Sequence, residues 1–322
     1  MRLLKIVPDN TNIGFVRVRH WAFAITAILT ILAIGAVGWR GLNLGVDFVG
    51  GVMIESQFQS PPPLDQVRAT VDELGLGEAQ LQQFAEATRV AIRLPLPHSS
   101  DDGATNAMVK KVQAAVAAKF PGVSFPRYNT VSGKVSGELV QNGILAVVLA
   151  VFGIAVFSWF RYEWQFGVST FVAIVHDVLI TLGFFAVTQM EVDLNIVAAM
   201  LTIVGYSIND KMVIDDRIRE NMRKYRQMDM RALIDLSVNE TLPRTVMTSL
   251  TIMLALGSLL LFGGHVLRGF TWAMMLGIVV GTYSSVYVSS SLLITLGVGP
   301  HSFVPRSDSR ASGAERISRR EG

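Results

Sequence analysis

The sequence predicts a polytopic α-helical membrane protein with six transmembrane helices and one α+β domain inserted between the first and second. Three observations carry that prediction. Hydrophobic types make up 51% of the 322 residues and charged types 16%, with a positive mean hydropathy, which is the balance of an integral membrane protein. Six apolar runs reach the roughly 20 residues of helix that cross a bilayer core. One stretch, residues 40–141, interrupts that series with the mixed periodicities of a soluble domain.

The runs lie near 21–39, 143–160, 166–188, 194–213, 246–264 and 270–297. The first is longer than a typical signal-peptide core and lacks a clear small-residue cleavage site, so it is expected to be a retained anchor behind a cytoplasmic segment, 1–20. In the inserted domain, Val52, Ile54, Ser56 and Phe58 alternate with Met53, Glu55 and Gln57 as a strand, whereas Leu64, Val67, Val71 and Leu74 have helical spacing. Two short alternating runs, Leu81 to Ala85 and Val90 to Leu94, suit a hairpin. Met108, Val112, Val116 and Phe120 suit a second helix, and Val123 to Val131 a last strand. The resulting β-α-β-β-α-β order is ferredoxin-like. No cluster of catalytic groups is visible in this domain, because His98 stands alone in "LPHSSDDG". A binding or mechanical module is expected rather than an enzyme.

Loop charge sets the orientation. Between runs four and five lie Arg217, Arg219, Arg223, Lys224, Arg226, Arg231 and Arg244, whereas "QMEVDL" after run three has no basic residue. Lys and Arg mark the cytoplasmic side, which places the loop 217–245, both termini and the Ser/Arg/Gly-rich tail 298–322 there, and residues 40–141 outside. A net charge of +3, with the arginines confined to particular loops, gives no basis for nucleic-acid binding. With no cysteine, neither a disulfide framework nor a thiolate metal site can form. No cofactor and no metal site are expected.

Four polar features inside or beside the runs need an account. In "TIVGYSINDKMVIDDRIREN", a straight helix puts Ile203, Tyr206, Ser207, Asp210 and Ile214 on one face, with Asn209 beside them. Either the helix ends early and Asp210 is solvated, or a carboxylate is held at depth, which costs several kcal/mol on insertion scales and marks a functional group. His176 and Asp177 sit in the middle of run three. They are either a polar pair that locks helix packing or a protonatable site. Arg244 in "TLPRTVMTS" is either a topology signal or a fixed cation that lowers the proton affinity of a carboxylate when two helices approach. Gly277, Gly281, Ser284 and Ser285 form a small-residue series that would allow close helix approach, and packing alone explains it.

These blocks resemble the SecD/SecF family of bacterial protein-export membrane proteins, of the smaller, F-type branch, itself related to the resistance-nodulation-division transporters. "GVDFVGG" at 45–51, with Gly45, Asp47, Gly50 and Gly51, is similar to the signature after that family's first span. "GYSINDKMVIDDRIREN" at 205–221, "LPRTVMTSLTIMLALGSLLLFGG" at 242–264 and "LRGFTWAMMLGIVVGTYSSVYV" at 267–288 are similar to its other blocks, in the same order. The resemblance implies a SecD-like partner subunit, with which the chain forms a twelve-span unit in the bacterial inner membrane. It also implies a proton gradient as the energy source, and assistance to a polypeptide emerging from the SecYEG translocon. Asp210 and Arg244 match the positions implicated in proton conduction, and the glycines of "NLGVDFVGG" would act as a hinge for the outer domain. One departure is Lys211, where the family usually has a small hydroxyl residue, together with Asp215, where it has an apolar or small one. Lys211 either snorkels to the cytoplasm, pairs with Asp215 at i+4, or turns inward and biases Asp210. Three rivals are a small-molecule or metal exporter of the same superfamily, a purely structural translocon subunit, and an intramembrane aspartyl protease. The last would need two carboxylates sharing a proton.

Overall fold

A computed structural model describes residue 8 and residues 11–77, 79–84, 86–96, 102–131, 133–264 and 267–299. His98, most of the first ten residues and the tail beyond 299 lie outside the described residues. The chain forms two compact units. One comprises Met1–Trp39, Leu149–Phe184 and Ala199–Gly322; the other comprises Arg40–Val148 and Phe185–Ala198.

The second unit contains the α+β domain. After the first long helix, α1 (Arg19–Arg40), come a short helix α2 (Val46–Val49), β1 (Gly51–Gln57), α3 (Leu64–Asp72), β2 (Gln80–Gln83), β3 (Arg89–Leu94), α4 (Asp102–Lys119) and β4 (Ser124–Val131). The strands form one antiparallel sheet in the order β2-β3-β1-β4, the order expected of a ferredoxin-like domain. Alternation in the central strands supplies the core. Val52, Ile54, Val90 and Ile92 meet Val67 and Val71 of α3 and Val109, Val112 and Val116 of α4. The opposite face of β1 and β3 is also covered, by a small cluster of Met53, Ala91 and Val46. That face carries ions as well. Glu55 is buried, with Arg127 at 3.2 Å and Arg89 at 4.0 Å. Its members sit on three strands, so no local pattern announces the group.

The first unit is helical. Its elements are α5 (Gly133–Arg161), α6 (Trp164–Thr188), α7 (Leu194–Lys224), α8 (Met230–Phe262), α9 (Arg268–Tyr283), a π-helical turn (Ser284–Ser289) and α10 (Ser290–Thr295). With α1, and with α9 to α10 as one span, six helices among the described residues are long and apolar enough to cross a membrane. α5, α6 and α7 each have one end in the second unit. Their lengths correct one expectation. Residues 217–245 are mostly helix, formed by the end of α7 and the start of α8 around a short link at 225–229. α8 alone is 33 residues, about 50 Å at 1.5 Å per residue, with Pro243 inside it. Its N-terminal part holds the segment before α1. Asn239 Oδ1 accepts from the Ile13 amide at 3.0 Å, Asn239 Nδ2 donates to the Ile13 carbonyl at 2.9 Å, and Asp235 accepts from the Val16 amide at 2.9 Å. α1 and α5 expose rows of large apolar residues, among them Ile28, Ile31, Leu32, Ile144, Val148 and Phe152, surface that requires lipid or a partner.

Candidate functional site

The polar interior of the helical unit is built around Asp177, near the middle of α6 and fully buried. Three side chains converge on its carboxylate. Ser207 of α7 donates to Oδ2 at 2.6 Å, Ser284 of the π-helical turn donates to the same oxygen at 3.0 Å, and His176 Nδ1 lies 3.1 Å from Oδ1. The backbone carbonyl of Asp177 accepts from Thr181 at 2.8 Å. One carboxylate therefore ties α6, α7 and the α9–α10 span together. Interhelical hydrogen bonds of this kind are a common means of helix association in an apolar phase. The glycine series has its explanation here. A Cβ on Gly281 would lie 3.2 Å from Ser207 Oγ and 3.5 Å from Asp177 Oδ2, so a bare backbone is what lets Ser284, one turn on, reach the carboxylate.

His176 is 4% exposed, its buried Nε2 has no hydrogen-bond partner among the described residues, and its ring stands 6.4 Å from that of Tyr283. Tyr283 in turn donates to the Ala22 carbonyl of α1 at 3.1 Å. Below the hub, Ser285, Ser289, Ser290 and Ser291 are all buried within or beside the π-helical turn, and Ser289 Oγ lies 3.5 Å from Ser169 Oγ of α6. π-helical turns concentrate at functional sites. The run "SSVYVSSS" is the signal that could have found this polar seam.

Asp210 lies one turn beyond Ser207 on α7 and has a different environment. It is 2% exposed, and among the described residues its buried Oδ2 has no hydrogen-bond partner. A buried polar atom without a partner costs about 1–3 kcal/mol, and more when charged. Arg244, the cation singled out in the sequence, is on α8 and exposed. The next residue of α8 repeats the pattern, since Thr245 Oγ1 is also buried without a partner. Of the other predicted residues, Tyr206 joins a separate chain of hydroxyls, 2.9 Å from Ser249 Oγ, which is 3.1 Å from Thr282 Oγ1. Asn209 is exposed.

The choice open at Lys211 is settled by geometry. Its Nζ donates to both oxygens of Asp215 at 2.6 Å, both residues are fully buried, and the ammonium lies 5.9 Å from the centre of the Phe166 ring. Lys211 is thereby engaged one turn onward along α7, away from Asp210. Further along the same helix, Asp216 accepts from Tyr162 of the α5–α6 link at 2.9 Å, and the Tyr162 ring stacks against Arg161 and Arg219. Burial, then the Asp216 hydrogen bond, pushes the Tyr162 hydroxyl above the usual tyrosine range.

The remaining predicted residues, Gly45, Asp47, Gly50 and Gly51, are in the other unit. Gly50 and Gly51 have φ of 78° and 112°, the left-handed region that favours glycine, where α2 turns into β1. Asp47 accepts from the Leu194 amide at 3.1 Å, at the start of α7. Gly45 donates to the Val192 carbonyl at 2.8 Å, and a Cβ there would come within 2.8 Å of Glu191 Oε1. Burial raises the Glu191 carboxyl above the ordinary range; Arg93 pulls it back and Asp193 pushes it further up.

Comparison with known proteins places these features in a family. The family described as protein export membrane protein SecD/SecF, C-terminal, matches residues 111–299, and the SecD/SecF GG motif matches residues 40–62. A protein translocase subunit SecF of Cereibacter sphaeroides is 41% identical over 317 residues, 96% of each chain. One of Desulfurispirillum indicum is 38% identical over 88% of this chain and 91% of its own. Among solved structures, SecDF from Thermus thermophilus, described as a translocon-associated membrane protein, superposes with a TM-score of 0.81 at 35% identity. That alignment covers 89% of this chain and 39% of the SecDF chain, so this chain corresponds to a part of the longer one.

Proposed function

The chain belongs to the SecD/SecF family of protein-export membrane proteins, and from that premise we propose that it is the F-type subunit of a Sec translocase, in which a proton crossing the membrane drives late steps of protein export. The kinship and the six apolar helices make it a multi-pass protein of the bacterial inner membrane. In this reading both termini are cytoplasmic, the α+β domain is periplasmic, and a SecD-like subunit supplies the other half of a heteromeric complex beside the SecYEG translocon. Lipid covers the apolar faces of the remaining helices. The protein is not an enzyme; it uses the proton gradient, without a cofactor, to move a translocating polypeptide.

The observation that carries the reading is the buried carboxylate oxygen of Asp210, which has no hydrogen-bond partner among the described residues. An ionised Asp210 attracts Arg244 and favours the approach of α7 to α8. A protonated one loses that attraction and becomes a hydrogen-bond donor in search of an acceptor. In this reading one proton chooses between two arrangements of the helix pair. A gradient of about 150 mV is worth roughly 3.5 kcal/mol per charge, at about 2.3 kcal/mol per 100 mV, enough to shift a two-state equilibrium several hundredfold. His176 and Asp177 brace the bundle within which the helix of Asp210 moves.

The test is gradient-dependent completion of a secretory substrate's translocation in vesicles containing the full complex. Asp210→Asn and Arg244→Ala, at matched subunit levels, are expected to abolish the gradient-dependent increment and leave gradient-independent translocation unchanged. Retention of the increment by both variants would mean that the chain only scaffolds its partner.

A further inference from the structure

The signature motif and the loop between α6 and α7 are joined more closely than a free hinge would require, and the residue that closes the joint lies in neither. Arg93, on β3, points to the face of the sheet away from α3 and α4. Its Nη1 donates to the Leu44 carbonyl at 3.0 Å and to Asn43 Oδ1 at 3.3 Å, and its Nη2 is 3.1 Å from Glu191 Oε1. Both ions are largely buried, with side chains 15% and 17% exposed. The planar guanidinium holds two acceptors with Nη1 while Nη2 faces the Glu191 carboxylate as an ion pair, a division the single ammonium of a lysine cannot reproduce in the same geometry. Around this centre the two segments are sewn together by backbone. Val192 donates to the Asn43 carbonyl at 2.8 Å, Gly45 donates to the Val192 carbonyl at 2.8 Å, and Leu44 pairs with Val192 as a parallel bridge. Asn43 Nδ2 adds a bond to the Gln189 carbonyl at 2.9 Å. Gln189 itself is held at φ 55°, a conformation that costs a non-glycine residue energy and persists where its surroundings fix it.

The joint ends on a helix terminus. Asp193 accepts from the Ile196 amide at 3.1 Å, and Asp47 accepts from the Leu194 amide at 3.1 Å. Two carboxylates therefore satisfy free amides of the first turn of α7, where negative charge is favoured. α7 is the helix that carries Asp210, in the other unit.

We propose that Arg93 is a positioning residue that locks a clasp, made with Asn43, Leu44, Glu191 and Asp47, between the sheet of the outer domain and the N-terminus of α7, so that displacement of the proton-bearing helix and displacement of the sheet are one motion. The hinge then lies outside the clasp, and the glycines at 45 and 51 serve close backbone approach within it. A Cβ at Gly51 would come within 2.6 Å of the Leu94 carbonyl. The proposal rests on the reading of Asp210 given above.

Translocation in proton-energised vesicles tests it, with dissipation of the gradient by the complex followed by a pH-sensitive dye in the same preparation. Arg93→Gln and Glu191→Gln are expected to lower the gradient-dependent translocation increment at least fivefold while gradient dissipation and complex assembly stay within twofold of wild type. Arg93→Lys is expected to fall between. The chain has no cysteine, so a Leu44→Cys/Val192→Cys pair gives one bridge. Oxidised in the Arg93→Gln background, that bridge should restore the increment, and reduction should remove it again. An undiminished increment in both Arg93→Gln and Glu191→Gln overturns the proposal, as does an oxidised bridge that restores nothing. Asp210→Asn in the same vesicles separates the two ideas. If it retains the increment, the proton reading fails; if it loses the increment while the Arg93 and Glu191 variants retain it, only the clasp fails.

Discussion

Asp177 and Asp210 are carboxylates buried in neighbouring helices of one bundle, yet their surroundings are opposite. Asp177 has two hydroxyl donors and an imidazole on its oxygens, drawn from three segments of chain. Asp210 has a buried oxygen with no hydrogen-bond partner among the described residues. Asp177 is held as a brace, and the proposed function needs Asp210 to be the one that changes. A carboxylate that knits three helices cannot change partners without unpicking the bundle. One whose oxygen is unclaimed can change protonation state at small structural cost.

The Lys211–Asp215 pair allows the largest expected effect that sharpens this contrast. Removing one partner of a buried ion pair leaves an uncompensated charge and costs about 3–5 kcal/mol. Lys211→Met is therefore expected to lower the thermal midpoint of the complex in detergent strongly. The double variant Lys211→Met/Asp215→Leu should recover most of that loss and keep the Asp210-dependent increment. If the double variant loses the increment, the pair belongs to the exchanging group, and Asp210 does not stand alone.

Next in size is Asp177→Ala, which leaves the Ser207 and Ser284 hydroxyls without their acceptor. At about 1–3 kcal/mol for an orphaned buried polar group, it is expected to destabilise the complex measurably. Asp210→Ala should be neutral or slightly stabilising in the same melt, since it removes an unpaired oxygen. A melt in which Asp210→Ala is the more damaging of the two would reverse the assignment of brace and switch.

The smallest effect is a pH dependence in the outer domain. Burial first, and the charge of Asp193 further, hold Glu191 above the ordinary carboxyl range, against the pull of Arg93 and Arg127. A folded-state value above the unfolded one makes the contribution of Glu191 to stability fully present at acid pH and lost as pH rises through the raised value. Hydrogen-exchange protection of the Gly45 and Val192 amides, corrected for intrinsic rates, is expected to fall as pH rises from acid toward neutral in wild type. In Glu191→Gln it should be flatter, with a difference of at most about 1 kcal/mol.

Much of this architecture was legible in the chain. The six apolar runs and the β-α-β-β-α-β order follow from periodicity and run length, which are local properties, whereas the sequence left open whether Asp210 is solvated or buried. The reading of 217–245 as a loop failed for a physical reason as well. Charge in a sequence reports where a segment meets water, and an amphipathic or polar helix meets water as readily as a loop does.

The sequence by itself therefore determined the elements, their order and the places where a polar group would have to be accounted for. Only the tertiary structure decided how each account closes. It set Ser284 on the carboxylate of Asp177 across 107 residues of chain, turned Lys211 toward Asp215 rather than Asp210 or the cytoplasm, and brought Arg93 of β3 to Glu191 of the α6–α7 loop. The reason is that helix and strand propensity act between residues a few positions apart. A buried donor or acceptor is satisfied instead by whichever side chain the packing of distant segments delivers within about 3 Å.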